Sequence, residues 1–345
     1  SSSSAVTPAT VPGAPANASA TAGNTQAIVT WNAPSSNGGS TITGYTATAS
    51  PGGQTVTVNG STHTATFTGL ANGTSYTFIV TTINTVGTGA SSSASNSVTP
   101  ATLPGAPTSV YATAGNTQAT VTWSAPSSIG GSAITAYTVT ANPGGQTVTV
   151  NGFTHTATFT TLTNGTYYTF TITATNPKGN SAASSASNAV TPAMVPGAPT
   201  NVTAAAGNTQ ATVSWSAPSS TGGSAITGYE VTASPGGQVV TVDWSTLTAT
   251  FTSLTNGMPY SFTVVATNNV GEGGESTPSN EVTPATVPGA PTNVTATASS
   301  TQATVTWSAP SSTGGSSITG YEVSTSPGGQ TVTVNGSTHT ATFTG

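Results

Sequence analysis

The chain has 345 residues, more than one domain usually spans, and its charge content is very low. It holds one Lys and six acidic residues, whereas a typical globular chain carries about 25% charged residues. A basic surface for nucleic acids is excluded, because one cation cannot neutralise a phosphate backbone. The lack of Cys excludes disulfides, a thiolate nucleophile and Cys-based metal sites. No apolar run approaches the ~18 residues of a membrane span, so we expect no membrane insertion in this segment.

A period of 92 residues organises the chain, and it separates four tryptophans: Trp31, Trp123, Trp215 and Trp307. This period is too long for solenoid or propeller units, but it suits an array of whole domains. We expect the end of a preceding repeat, with its last strand and linker, at residues 1–11. Three repeats follow at 12–103, 104–195 and 196–287, and an incomplete repeat without its last two strands at 288–345. The chain is therefore predicted to be a segment of a longer repetitive protein.

The first half of each repeat predicts two short strands, here in the numbering of the first copy. Residues 26–31 alternate apolar and polar side chains, the period of a half-buried strand. A polar loop rich in Pro and Gly covers residues 33–40. The second strand spans residues 42–49 and directs Tyr45 to the apolar face.

The second half of each repeat begins with a turn at Pro51-Gly52-Gly53 and a strand over residues 54–58. Asn59-Gly60 then predicts a hairpin with a type I′ turn, because both residues tolerate a positive φ. Further strands are expected at residues 63–67, at 76–80 and through Val98. No stretch shows a helical period with caps, so each copy indicates about seven strands in roughly 90 residues, a sandwich geometry.

These motifs, taken together, resemble the fibronectin type III domains of secreted bacterial proteins. The resemblance rests on Pro-Gly-Ala-Pro, on VTWSAPSSTGGSSITGYEV at residues 305–323, on Leu70 followed by Tyr76, and on Asn84 with Gly87. It implies an all-β fold of tandem fibronectin type III-like (immunoglobulin-like) seven-stranded β-sandwiches in an elongated array. Strands A, B and E would face strands G, F, C and C′, and Tyr76 would form the tyrosine corner.

The candidate core of the first three copies consists of one Trp, two Tyr and one Leu at fixed offsets, and that of the incomplete fourth copy of one Trp and one Tyr. Large apolar and aromatic side chains supply most of the area that a small domain buries. The predicted structural core is Trp31, Trp123, Trp215, Trp307, Tyr45, Tyr137, Tyr229, Tyr321, Leu70, Tyr76, Leu162, Tyr168, Leu254 and Tyr260.

The copies are joined by proline-rich segments such as residues 99–107, which contain three prolines. Proline fixes φ and biases the preceding residue to extended conformations. We expect a short, semi-rigid, polyproline-like joint that is stiffer than a Gly/Ser tether.

No constellation of residues predicts catalysis, a cofactor or a metal. His63, His155 and His339 occupy equivalent positions, but Leu247 stands there in the third copy and no carboxylate lies nearby in sequence. We interpret these histidines as packed or rim residues, and we expect the chain not to be an enzyme.

Three residues are weak candidates for binding a partner or a glycan. Glu272 and Glu275 lie in the segment VGEGGES, which we expect to be an exposed loop before the last strand. Trp244 replaces the Gly of the Asn-Gly turn, and we expect the turn type to change there. An exposed Trp can stack on a sugar ring or anchor a partner, but it can also fold back over its own strands.

The nearly uncharged, Thr-rich surface suggests an extracellular or cell-surface protein whose contacts depend little on ionic strength. The favoured function is a non-catalytic structural or adhesive segment of a stalk, fibre or appendage that acts as a spacer and assembles laterally. Its expected partners are other copies of itself or extracellular surface proteins and glycans. One alternative is a spacer in a secreted carbohydrate-active enzyme, and a second is a phage virion decoration.

Overall fold

The computed structural model describes residues 8–345, which form β-strands connected by turns and loops. The strand predicted for a preceding repeat lies mainly in residues 1–7, outside the described part. Within residues 8–345 no helix is long and apolar enough to cross a lipid bilayer.

The first two repeats contribute seven strands each. Those of repeat 1 are β1 Ala16–Ala22, β2 Gln26–Asn32, β3 Ile42–Ser50, β4 Thr55–Asn59, β5 Thr64–Thr68, β6 Thr77–Asn84 and β7 Thr88–Ser91. Those of repeat 2 are β8 Thr108–Gly115, β9 Gln118–Ser124, β10 Ala136–Asn142, β11 Thr147–Asn151, β12 Thr156–Phe159, β13 Thr169–Asn176 and β14 Gly179–Asn180.

The third repeat again has seven strands, and residues 288–345 contain five. Repeat 3 has β15 Thr200–Gly207, β16 Gln210–Ser216, β17 Ile226–Ser234, β18 Val239–Asp243, β19 Thr248–Thr252, β20 Ser261–Asn268 and β21 Glu272–Glu275. Repeat 4 has β22 Thr292–Ala298, β23 Gln302–Ser308, β24 Gly320–Ser324, β25 Thr331–Asn335 and β26 Thr340–Thr344.

Each complete repeat is a sandwich of two antiparallel sheets. In repeat 1 the strand orders are β1-β2-β5 and β4-β3-β6-β7, which match the expected A, B, E and C′, C, F, G sheets. Repeats 2 and 3 have the same orders. The predicted fold class is therefore confirmed. Repeats 1 and 2 lie in one compact unit and repeats 3 and 4 in a second, apart from residues 163–166 and 192–195 of repeat 2, which group with the second.

The core follows from the alternation of apolar and polar residues along each strand. In β2 the side chains of Ala27, Val29 and Trp31 are buried, while those between them are exposed. The Trp31 ring packs on Tyr45 with centroids 5.4 Å apart. Phe67 and Phe78 meet from opposite sheets at 4.7 Å, so aromatic contacts span the sandwich.

The four core tryptophans share an unusual feature. The indole Nε1 atoms of Trp31, Trp123, Trp215 and Trp307 are buried without a hydrogen-bond partner within the described residues. An unpaired buried donor lowers stability by roughly 1–3 kcal/mol. The ring is therefore favourable here because of the apolar area that it buries, which must outweigh the cost of its N–H group.

The tyrosine corner links the E–F loop to the start of strand F. The Ala71 amide donates to the Tyr76 hydroxyl over 3.1 Å, and the Thr255 amide donates to the Tyr260 hydroxyl over 3.2 Å. Tyr76 also pairs with Val98 through backbone hydrogen bonds in both directions. These bonds hold the loop that faces the next repeat.

The type I′ prediction for the Asn-Gly turn is wrong. Among residues 8–345, neither Asn59 nor Gly60 has a positive φ, and the same holds for their equivalents. Instead the Asn59 side-chain oxygen accepts from the Ser61 amide at 3.0 Å, and the Thr62 amide donates to the Asn59 carbonyl at 3.1 Å. The side-chain bond stabilises a different turn, because Asn readily bonds the backbone two residues ahead.

Candidate functional site

The segment between repeats 1 and 2, residues 99–107, is the first candidate because it determines how one repeat follows another. Its first half is bonded to repeat 1. The Gly73 amide donates to the Pro100 carbonyl at 2.9 Å, and the Ala101 amide donates to the Gly23 carbonyl at 3.1 Å. Pro100 and Ala101 are buried. The linker therefore begins as part of the preceding sandwich.

The second half of the same linker is bonded to repeat 2. The Thr102 amide donates to the Gly130 carbonyl, and the Gly105 amide donates to the Ser128 carbonyl, both at 2.8 Å. The Asn176 side-chain amide donates to the Thr102 carbonyl, also at 2.8 Å. Because Ala101 bonds to one repeat and Thr102 to the next, no free residue separates the two attachments.

The two repeats also meet directly at a pair of glycines outside the linker. Gly73 lies in the E–F loop of repeat 1 and Gly131 in the B–C loop of repeat 2. A Cβ added to Gly131 would lie 2.4 Å from the Gly73 nitrogen and 2.7 Å from the Asn72 Cβ. Both glycines have a positive φ, at 84° and 83°. Only glycine permits this approach, because any side chain at Gly131 would collide with backbone.

The second unit repeats this arrangement between repeats 3 and 4. Its linker makes corresponding backbone bonds: Gly257 N to Pro284 O at 2.9 Å, Ala285 N to Gly207 O at 3.1 Å, Thr286 N to Gly314 O at 2.7 Å and Gly289 N to Ser312 O at 2.9 Å. A Cβ added to Gly315 would lie 2.6 Å from the Gly257 nitrogen. The joint is thus a repeated feature of the fold.

Sequence reasoning missed the glycine pair and the role of Asn176 in this joint. Asn84 and Asn176 are buried, and each bonds the linker that precedes its own repeat and the B–C loop. The available signal was a repeated Gly in two loops: Gly-Gly-Ser in the B–C loop of all four copies and Asn-Gly in the E–F loop of the first three. That signal specifies a tight backbone position but not which other loop approaches it.

The equivalent histidines are exposed at the rim of the sandwich. His63 Nε2 lies 3.3 Å from the Tyr45 hydroxyl, and the His155 ring packs 5.3 Å from the Tyr137 ring. In residues 8–345 no three His, Asp or Glu side chains form a group that could hold a metal ion. These histidines therefore contact Tyr45 and Tyr137, two aromatic side chains of the core.

The predicted loop at Glu272 and Glu275 is wrong in one respect. Both residues belong to strand β21, which pairs with β20, although both side chains are exposed as expected. The Gly residues between them allowed the interpretation as a loop, because Gly is depleted in strands. Within the described chain neither carboxylate belongs to a group of three or more His, Asp or Glu side chains that could hold a metal ion.

Trp244 is 65% exposed, so its ring does not fold fully back onto the sandwich. Its turn keeps the form found in the other repeats, contrary to the expected change of type. The Asp243 carboxylate accepts from the Ser245 amide at 2.9 Å, as Asn59 does from Ser61 in repeat 1. Hydrogen bonds from the side chains of Ser245 and Thr246 hold the pKa of the Asp243 carboxyl below its usual value.

Repeat 2 exposes three aromatic residues that sequence reasoning did not single out: Tyr111, Phe153 and Tyr167. Repeat 1 has Ser19, Ser61 and Ser75 at these positions. A comparison between the copies would have found them, because each is a large apolar residue where the fold accepts Ser.

The comparison with protein families matches a segment in each of the four copies. The model of the fibronectin type III domain matches residues 13–98, 105–190, 197–282 and 289–345. The chain is also similar to the solved FN1–FN3 domains of chicken CNTN1. The alignment covers 79% of this chain and 99% of that structure, with 22% identity and a TM-score of 0.31.

Two curated relatives are bacterial enzymes. The chain is 32% identical to Exoglucanase B of Cellulomonas fimi over 261 residues, which is 70% of this chain and 23% of that protein. It is 36% identical to Chitinase A1 of Niallia circulans over 192 residues, which is 52% of this chain and 26% of that protein. The chain therefore spans about a quarter of each relative. Because the family model matches each of the four copies, the chain belongs to the fibronectin type III domain family, as four tandem repeats.

Proposed function

We propose that this chain is a non-catalytic spacer in a secreted protein that acts on polysaccharide. The observation that carries the proposal is the joint between repeats. Residues Pro100 to Gly105 are bonded on one side to repeat 1 and on the other to repeat 2. A linker that is bonded in this way holds the two repeats of one unit at a set distance and direction.

A bonded linker differs physically from a flexible tether. A Gly/Ser tether samples many end-to-end distances, whereas a proline-rich segment with paired backbone groups loses most of that freedom. The contact of Gly73 with Gly131 restricts the remaining rotation of one repeat on the next. The consequence is that a module attached to one repeat of a unit explores a small volume around the other repeat, which raises its effective concentration at a matched target.

The similarity to Exoglucanase B and Chitinase A1 supports a polysaccharide setting and a secreted location. The likeness covers about a quarter of each enzyme, and their catalytic function is therefore not transferred to this chain. On this proposal the catalytic or binding modules lie elsewhere in the same protein. This is the alternative that the sequence left open beside an adhesive array.

The adhesive or structural array stays a second candidate because of one observation, the scarcity of charge over the four repeats. An uncharged surface gives little electrostatic resistance to side-by-side contact. The complete reading frame separates the two proposals. A flanking catalytic domain supports the spacer, and many further copies of the repeat without such a domain support the array.

The spacer is tested in the complete protein by in-frame removal of residues 12–103, so that Val11 is followed by Pro104 and the native junction is kept. We expect unchanged activity on a soluble substrate and reduced activity on an insoluble one. The control replaces repeat 2 by a second copy of repeat 1, which keeps the length, and it should act like the original protein. Loss of activity on the soluble substrate after removal would contradict the proposal, since the repeat would then contribute to the active site.

A further inference from the structure

The sandwich of repeat 2 has four edge strands, and two of them are visibly protected against pairing with another chain. Strand β8 has a register shift between Thr108 and Tyr111, and the Asn188 side chain bonds both the amide and the carbonyl of Ala112, at 2.8 and 2.9 Å. Strand β14 has only two residues. Bulges, short strands and covered backbone groups are the usual means of protecting an edge.

Strand β11, Thr147–Asn151, has none of these protections. It pairs with β10 in a regular register over its whole length, and its sequence TVTVN contains no charge and no Pro. Short uncharged segments of high β-propensity at an exposed edge are templates for strand addition. The same regular pairing holds for β4, β18 and β25.

The free backbone groups of β11 follow from its pairing with β10. The Ala141 amide donates to the Gln146 carbonyl at 2.8 Å, which marks one hydrogen-bonded pair. Such pairs alternate along an antiparallel ladder, so Val148 and Val150 bond to β10. The amide and carbonyl groups of Thr147 and Thr149 therefore point away from β10, and both residues are exposed.

A shallow groove runs beside this edge, between β11 and β12. It is lined by Thr147, Val148, Thr158 and Phe159. The equivalent groove in repeat 4 is lined by residues at the same positions, Thr331, Val332, Thr342 and Phe343. The groove leaves the β11 edge open to an extended strand, and its walls offer hydroxyl and methyl groups instead of charges.

A second copy of this chain is the occupant that matches the edge. The strand sequence TVTVN occurs identically in β4, β11 and β25, and β18 is VVTVD. Two antiparallel copies of β11 related by a two-fold axis through Thr149 place Thr149 opposite its own copy and Val148 opposite Val150, which is an isologous contact. One Lys and six acids in 345 residues offer no charge complementarity to an acidic or basic partner.

We propose that β4, β11, β18 and β25 form a self-pairing surface through which two copies of the chain associate antiparallel, edge to edge. A single pair of five-residue strands is weak. We therefore expect the dimer to form only at high protein concentration. This surface is independent of the spacer function, because it lies on the strand edges and not at the linkers.

The first experiment compares two variants with four substitutions each at the outward-facing threonines of the four edges. Thr57→Pro, Thr149→Pro, Thr241→Pro and Thr333→Pro remove only amides that do not bond within the sandwich, whereas Val at the same positions keeps these amides. We expect the original chain and the Val variant to dimerise with rising concentration in sedimentation experiments, at low and high salt alike. The Pro variant should stay monomeric with an unchanged circular dichroism spectrum.

A monomeric original chain at millimolar concentration, or a Pro variant that dimerises equally well, would overturn the proposal. The second experiment does not depend on how well proline is tolerated. Thr149→Cys on the cysteine-free chain should form disulfide-linked dimers on oxidation, because residues directly opposite in such a pair lie about 5.5 Å apart. Thr147→Cys is the matched control and should cross-link far more slowly. Equal cross-linking of both variants, or of neither, would exclude this pairing.

Discussion

At the scale of single residues, the tryptophan of strand B dominates each repeat. Trp123 contacts Tyr137 at 5.5 Å and is 6% exposed, while its indole Nε1 has no partner in the described chain. The energetic value of this residue is therefore its buried apolar surface. Sequence reasoning identified it because it sits on the apolar face of an alternating strand in all four copies, but the pattern contains no information about the unpaired N–H group.

Replacement of Trp123 by Ala should reduce the stability of repeat 2 by about 3–5 kcal/mol, because it leaves a large cavity in a small core. The exchange of amide hydrogens in β9 and β13 measures this loss for repeat 2 separately from the other repeats. Tyr111→Ala is the control, since Tyr111 is 58% exposed in the same repeat, and it should change stability by no more than about 0.5 kcal/mol. Equal exchange in the two variants would contradict the core assignment.

At the scale of strands and turns, alternation predicted the strands and their buried faces, whereas turn geometry was not predictable in the same way. The Asn-Gly pair suggested positive φ angles, but the Asn59 side chain stabilises another turn through bonds to residues ahead of it. The preference of Asn-Gly for positive φ and the side-chain bonds of Asn59 are local energies of similar size, and the sequence alone does not show which is larger. Strand β21 was missed for a related reason, because pairing with β20 overrides the low strand propensity of its glycines.

In repeat 2 the Gly of this turn is restricted by space and not by its φ angle, although repeat 3 accommodates Trp244 at the equivalent position. A Cβ on Gly152 would lie 2.0 Å from the Ile134 carbonyl oxygen. Gly152→Ala should therefore destabilise repeat 2 by about 1–3 kcal/mol in urea unfolding, as overpacking does. The reverse change in repeat 3, Trp244→Gly, introduces the residue of the other repeats and should leave the stability of repeat 3 nearly unchanged. An unchanged urea midpoint of unfolding for Gly152→Ala would contradict the close approach of Gly152 to the Ile134 carbonyl.

At the scale of the molecule, the joint between repeats fixes how one repeat of a unit follows the other. The prolines of residues 99–107 predicted restricted motion, and the structure adds backbone bonds to both neighbours and the contact of Gly73 with Gly131. These contacts join residues from different repeats, and no periodic pattern within one repeat specifies such a partner. The family was therefore recognisable from sequence, but the joint was not.

The spacer proposal and the self-pairing proposal act on different parts of the molecule. The first depends on the linkers and on glycines such as Gly131. The second depends on the free edges of strands such as β11. Failure of one proposal leaves the other open to its own test.

The central claim is that the linker holds adjacent repeats in one arrangement. It is tested most directly by pulsed dipolar spectroscopy between spin labels at Thr66→Cys in β5 and Thr158→Cys in β12, on a chain with no other Cys.

We predict one narrow distance distribution for the chain with its native joint and a broad or shifted one after Gly131→Ala. The control Gly39→Ala has a similar positive φ of 78°, but its added Cβ comes no closer than 3.2 Å to the Pro8 carbonyl oxygen, so it should leave the distribution narrow. A native distribution as broad as that of a chain with residues 99–107 replaced by a Gly/Ser linker would contradict the account.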